Sequence, residues 1–232
     1  MLITRGEILY PGISWSVMAH IHLPDGSFTL LWVVIWWLVT GVLIAGSLYL
    51  LKRKGPLESR QITIAAFCTA ASFAVFQVSI PLFGGVHMNL TSLVGILTGP
   101  LIGSLIVFIV NILSAGIGHG GWGMVGVNTV VNIIEVVAAY GVYRGTGRFL
   151  SGTFSRAGIA TLIALVLGSV GMIGIILISG VQGTDQTMGQ TLYGLSLLTG
   201  VNLGVTVIEA FVTGYIVTYI KRVRPAMMQE AE

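Results

Sequence analysis

Long apolar runs alternate with short polar intervals along most of this chain. Ser27–Leu51 contains no charged residue, and similar runs recur at Ile62–Leu82, Pro100–Leu113, Met124–Tyr143, Ala157–Ile178 and Leu192–Ile220. A helix needs about 20 consecutive apolar residues to cross a bilayer. Because lipid offers the backbone no hydrogen-bond partner, a helical bundle is the default architecture for such runs. The pattern predicts an all-α polytopic membrane protein, a compact bundle of about seven helices that includes one short broken helix.

The broken helix follows from charge placement. Lys52–Arg60 carries Lys52, Arg53, Lys54 and Arg60 against Glu58 alone, a second loop carries Arg144, Arg148 and Arg156, and the tail carries Lys221, Arg222 and Arg224. The positive-inside rule puts all three in the cytoplasm of a plasma-membrane protein. Loops 81–89, 117–123 and 181–190 hold no Lys or Arg and are expected outside, with the N-terminus outside and the C-terminus inside. Residues 90–116 must then begin and end on the outer side. They break at Gly99-Pro100, where proline removes a backbone donor and glycine favours a turn. The limb Leu90–Thr98 spans only about 14 Å as helix. Either a binding site lies beside this interruption, or the break is a packing kink in a glycine-rich sequence. The run Gln190–Ile220 is long enough to tilt or to extend past the hydrocarbon layer.

Composition adds limits. With 232 residues, 8% of them charged, and a mean hydropathy of +0.95, the chain suits one transmembrane domain over 18–232 and no separate soluble domain. The net charge of +3 sits in loops and helix ends, so it marks topology rather than nucleic acid. Cys68 lies inside an apolar run and reads as core packing.

The candidate chemistry is histidine. Residues 1–17 make a poor signal peptide, their apolar core being interrupted by Pro11, Gly12 and Ser14, and are expected to form an N-terminal extension. Translation from Met18 would expose the amine of Ala19 with His20 second in the chain, a compact nitrogen-rich set suited to Ni²⁺ or Cu²⁺. The plainer reading makes His20 and His22 interfacial residues facing solvent or headgroups. His87 precedes the broken helix and His119 lies in the next outer loop, so all four histidines of the chain map to one side. His87 is the strongest metal-ligand candidate. Asp25 either orients a ligating histidine or caps the first span.

Within the membrane, Asn128, Asn132 and Glu135 step by four and three, which sets them on one helix face. Asn111 lies on the returning limb, and Glu209 follows Asn202 by seven residues. Buried carboxylates in a membrane default to functional candidates, but Glu209 reads better as helix-to-helix glue, and Asn128 as support behind an outer site. The sequence has no phosphate-binding Gly-x-x-x-x-Gly-Lys loop, no His-Glu-x-x-His and no serine elbow. Uphill ion movement would therefore draw its energy from a partner.

Three blocks carry a family resemblance. His22-Leu23-Pro24-Asp25-Gly26-Ser27-Phe28 is similar to the amino-terminal His-Ile-Pro-Asp-Gly-Phe signature of the CbiM/NikM group. These are the membrane substrate-binding components of energy-coupling-factor transporters for cobalt and nickel. His87-Met88-Asn89-Leu90-Thr91 with Gly95-Ile96-Leu97-Thr98-Gly99-Pro100 resembles its central block. Ala115-Gly116-Ile117-Gly118-His119-Gly120-Gly121 with Gly126-Val127-Asn128-Thr129 resembles its glycine-rich block. The resemblance implies that a free terminal amine, the second-position histidine and a later histidine, here His87, bind the ion. By motif the second-position histidine is His22; by position after processing to Ala19 it is His20.

The resemblance further implies Co²⁺ or Ni²⁺ as transported substrate, with no permanent cofactor and no catalysis in this chain. Its implied partners are a coupling transmembrane subunit, cytoplasmic ATPase subunits and, in some systems, a small accessory membrane subunit. Asp25, Asn89, His119 and Asn128 are the expected supporting or gating residues. Cobalamin synthesis would pair with cobalt and nickel enzymes with nickel. Two other readings stand beside this one: a stand-alone secondary transporter or channel using Glu135 and Glu209, and a non-transporting scaffold.

Overall fold

The computed structural model describes residues 25–77, 79–80, 86–180 and 188–228. Six long helices dominate: α1 (Leu30–Lys54), α2 (Ser59–Phe76), α3 (Thr91–Gly116), α4 (Val125–Thr146), α5 (Thr153–Ser179) and α6 (Met188–Val223). A 3-10 turn over Trp122–Met124 leads into α4, and another over Pro225–Met228 follows α6. Between α2 and α3 lies a small antiparallel ribbon of β1 (Ser79–Ile80) and β2 (Val86–His87), in which Ser79 faces His87 and Ile80 faces Val86. All six helices contain a stretch long and apolar enough to span a membrane, and the chain is a multi-pass membrane protein.

Burial follows from how the helices are packed. α3 touches each of the other five, with its most extensive contact on α4, and nearly all of its first limb is buried. α1 is peripheral. It buries only Thr40, Ile44 and Ser47 and leaves Leu30, Leu31, Leu38 and Val42 exposed. Apolar side chains on the outside of such a bundle face lipid, which is as apolar as they are, so exposure there costs nothing. Cys68 is buried in the main core cluster, as its apolar context predicts.

The expected break in α3 is present. Gly99 has φ 72° and ψ 176°, a conformation open essentially to glycine alone, and Pro100 follows it. The chain doubles back at this point. Thr91 sits at Glu135, Gly95 at the Val136 carbonyl and Gly99 beside Tyr140, so the first limb runs with α4. The second limb returns, bringing Gly103 back to Val136 and Gly116 beside Trp122. Counting the limbs separately gives seven helical elements.

One detail differs from a short helix diving in from the outer surface. The first limb starts level with Glu135, ten residues into α4 and about 15 Å from its start at 1.5 Å per residue. The described residues that lead into it, 86–90, are non-helical and end at Leu90 in the left-handed region with φ 53°.

The two ends of the bundle differ in charge. Lys52, Arg53 and Lys54 close α1, Arg144 lies in the last turn of α4, and Lys221 and Arg222 lie in the last turn of α6. Arg60 donates to the Ala226 carbonyl at 2.7 Å, Arg156 donates to the Tyr143 carbonyl at 3.0 Å, and Arg60 and Met227 line a small cavity with Leu97 and Thr98 beneath the elbow of α3. The three basic clusters thus converge on one end. Asp25, Trp122, His119 and Phe76 mark the other.

Candidate metal-capture site

At the Trp122 end, the stretch that leads into α1 is fastened to the start of α4. The Asp25 carboxylate accepts a hydrogen bond from the Gly123 N–H at 2.8 Å. Donors at a helix start have no partner within the helix, and a carboxylate there also meets the positive end of the helix dipole. A Cβ on Gly121 would lie 2.0 Å from the Asp25 Cγ, so this loop must be glycine to admit the carboxylate. Phe28 is buried against Met124, Val127, Val131 and Met172. Higher on α1, Trp36 donates to Ser179 at 2.9 Å and Trp37 to the Trp122 carbonyl at 3.1 Å. Asp25 therefore ties to the 3-10 turn that leads into α4, remote in sequence, whereas α1 begins at Thr29 without a side-chain cap.

The second piece is the descent from β2 into α3. Asn89 donates from its side chain to Asn132 on α4 at 3.1 Å, and from its backbone N–H to Glu209 on α6 at 3.3 Å. Thr91 donates to Glu135 on α4 at 2.5 Å. Glu135 and Glu209 are 2% and 0% exposed. Two carboxylates in the middle of a bundle are costly, but both gather at the N-terminus of a half-helix, where free N–H groups and the dipole favour negative charge. Leu90 holds the turn between Asn89 and Thr91 in a conformation that costs about 1–3 kcal/mol outside glycine, and its buried side chain keeps it there.

Of the residues expected at the site, Ala19, His20 and His22 lie outside the described residues. His87 ends β2, two residues before the Asn89 anchor. His119 is seated against α2, its ring 4.8 Å from that of Phe76, and its N–H donates to the Ser114 carbonyl at 2.9 Å. Asn128 is buried one turn from Asn132, and its Oδ1 makes no hydrogen bond among the described residues. Asn111 donates to the Val107 carbonyl within its own helix, a local contact. Among the described residues no three His, Cys, Asp or Glu side chains form a group able to hold a metal. Sequence reasoning names Glu209 as helix-to-helix glue without its partner, and it does not name Thr91 at all. The signal for Thr91 was its place beside a predicted break, and nothing local marks Glu209 as a partner of Asn89.

A half-helix that begins on buried polar groups, an apolar exterior and one basic end make this a polytopic membrane bundle with a broken helix at its centre. Residues 22–227 match the family described as "CbiM: Cobalt uptake substrate-specific transmembrane region". The chain belongs to this family and is a membrane component of cobalt uptake. A protein named CbiM 1 from Methanocorpusculum labreanum is 26% identical over 218 residues, covering 90% of this chain and 92% of that protein. The cobalt transport protein CbiM of Carboxydothermus hydrogenoformans is 33% identical over 128 residues, 53% of this chain and 52% of that protein. A crystal structure of a transition metal transporter superposes with a TM-score of 0.66 at 16% identity, over 88% of this chain and 93% of that one.

Proposed function

We propose that this chain is the substrate-capture subunit of an energy-coupling-factor transporter, binding Co²⁺ or Ni²⁺ at its outer face. His87 and a histidine of the amino-terminal segment, His20 or His22, supply imidazole, with the amine of Ala19 as a further ligand where the chain is processed to that residue. The observation that carries this reading is the hydrogen bond from Gly123 to Asp25. His22 precedes Asp25 by three residues, so chain length alone holds it within about 11 Å of that anchor. Asp25 fixes the amino-terminal segment to the same end of the bundle that receives the loop after α2. Asn89 anchors the His87 segment from below, and Asn128, buried one turn from Asn132 on α4, supplies an acceptor for an imidazole N–H of the kind that fixes a ligand's tautomer. His119 supports the glycine loop through its packing on Phe76.

On this reading the basic end faces the cytoplasm, the N-terminus lies outside and the C-terminus inside. A coupling membrane subunit and ATPase subunits dock there and supply the energy, with a small accessory membrane subunit in some systems. Nitrogen ligands suit both metals, and a square-planar set would favour nickel.

Calorimetric titration of detergent-purified protein with Co²⁺, Ni²⁺, Zn²⁺ and Cu²⁺ tests this reading, comparing amino termini at Met1 and Ala19. One tight site in the shorter form, lost in His87→Ala, is the expected result. Binding unaffected by His87→Ala would overturn the proposal, and equal binding by both forms would remove the amine from it.

A further inference from the structure

We propose that Glu209 is a positioning residue for metal capture. It holds the strand that carries His87 at its working depth through the backbone of Asn89. This rests on the assignment of His87 as a ligand.

Asn89 is gripped from two helices at once. Its side chain reaches Asn132 on α4 and its N–H reaches Glu209 on α6. The ribbon pairing ends at His87, and the helical ladder of α3 begins with Val94 bonding back to Leu90. The Asn89 N–H thus falls between two regular elements and takes its partner from a side chain. With Leu90 in a left-handed conformation immediately after it, this turn needs external support to persist. Glu209 comes from the opposite end of the sequence, and its helix packs on α3 and α5. It therefore couples the depth of the ligand-bearing strand to the seating of α6. A ligand strand held in its bound conformation before the ion arrives avoids the ordering cost of binding. The bond requires an acceptor, not a charge, so glutamine can replace glutamate here and leucine cannot.

The test uses the full chain in detergent with three variants: Glu209→Gln, Glu209→Leu and Asn132→Ala. Co²⁺ affinity is read by calorimetry, and hydrogen exchange of a peptide covering 86–93 is read in metal-free protein. Glu209→Gln is expected within about threefold of the parent affinity. Glu209→Leu is expected to bind about tenfold or more weakly, with faster exchange at Asn89 and recovery when glutamine is installed instead. Asn132→Ala should loosen the same peptide. Faster exchange in Glu209→Leu with unchanged affinity would overturn the proposal, as would equal loss in Glu209→Gln and Glu209→Leu, which would point to the charge. A lower melting temperature with parental affinity in the folded fraction would leave Glu209 only a structural role and also overturn it. A parent protein that binds no Co²⁺, with the exchange pattern as expected, would sink the metal-capture reading and this proposal with it. The anchoring of Asn89 itself would then stand.

Discussion

The carboxylate of Asp25 occupies the space that a side chain on Gly121 would take, while accepting the N–H of Gly123 at 2.8 Å. The amino-terminal segment and the glycine loop are therefore two halves of one contact, and neither sequence makes sense without the other. Because Asp25 is exposed, its contribution is modest, at about 1 kcal/mol. In metal affinity that corresponds to about fivefold. Asp25→Ala and Gly121→Ala should each cause this loss. The double variant should lose no more than either single one, since both remove the same bond. Additive losses in a titration of all three would show that Asp25 and Gly121 act on the metal separately and not through this contact.

Close approach of α3 and α4 makes a second prediction. A Cβ on Gly95 would lie 2.4 Å from the backbone oxygen of Val136, and a backbone atom cannot swing aside as a side-chain tip does. Gly95→Ala should force the first limb of α3 off α4 at a cost of about 1–3 kcal/mol. Gly41→Ala is the matched control, because a Cβ there meets nothing within 4 Å. Thermal unfolding in detergent should separate the two, with only Gly95→Ala melting earlier.

How far the sequence alone reaches can be judged from particular residues. Apolar run length located the spans because lipid imposes it locally, and Gly99-Pro100 announced the break because both residues act on their own backbone. The spacing of Asn132 and Glu135 placed them on one face, and both indeed meet the start of α3. The partners on the other side were harder to see. Asn89 and Glu209 are 120 residues apart, and Asp25 and Gly123 are 98 apart, with no periodicity linking either pair. Depth is equally hard to read from sequence. A nine-residue limb reads as starting at the surface, whereas the structure starts it level with Glu135, after a left-handed turn at Leu90. That device depends on α4 and α6, not on the segment's own sequence.

The elbow of α3 gives a third prediction, in which the two residues of the break differ. Gly99 carries φ 72° and ψ 176°, so Gly99→Ala imposes backbone strain of about 1–3 kcal/mol, although its Cβ would meet only the Tyr140 ring at 3.7 Å. Pro100 follows the turn and reinforces it, but the left-handed backbone at Gly99 already interrupts the helix. Pro100→Ala should leave the melting temperature and the metal affinity near the parent values. Gly99→Ala should lower the melting temperature measurably. If Pro100→Ala proves the more damaging, proline rather than glycine sets the break.

The bond from Thr91 to Glu135 makes the last prediction. Valine matches threonine in shape but offers no donor, so Thr91→Val removes one hydrogen bond from a carboxylate that is 2% exposed. Withdrawing a donor from a buried carboxyl group costs about 1–3 kcal/mol. An amide is cheaper to bury than a carboxylate, so the same substitution should cost less when Glu135→Gln is already present. A double-mutant cycle on thermal unfolding reads this directly. The coupling should be favourable and of the order of 1 kcal/mol. Because Thr91 opens the half-helix whose far end is the elbow at Gly99, Thr91→Val should also speed amide exchange through residues 89–93 while leaving α1 unchanged. Zero coupling, or exchange that quickens equally in α1, would mean that the buried carboxylate is held by the bundle as a whole and not by this bond.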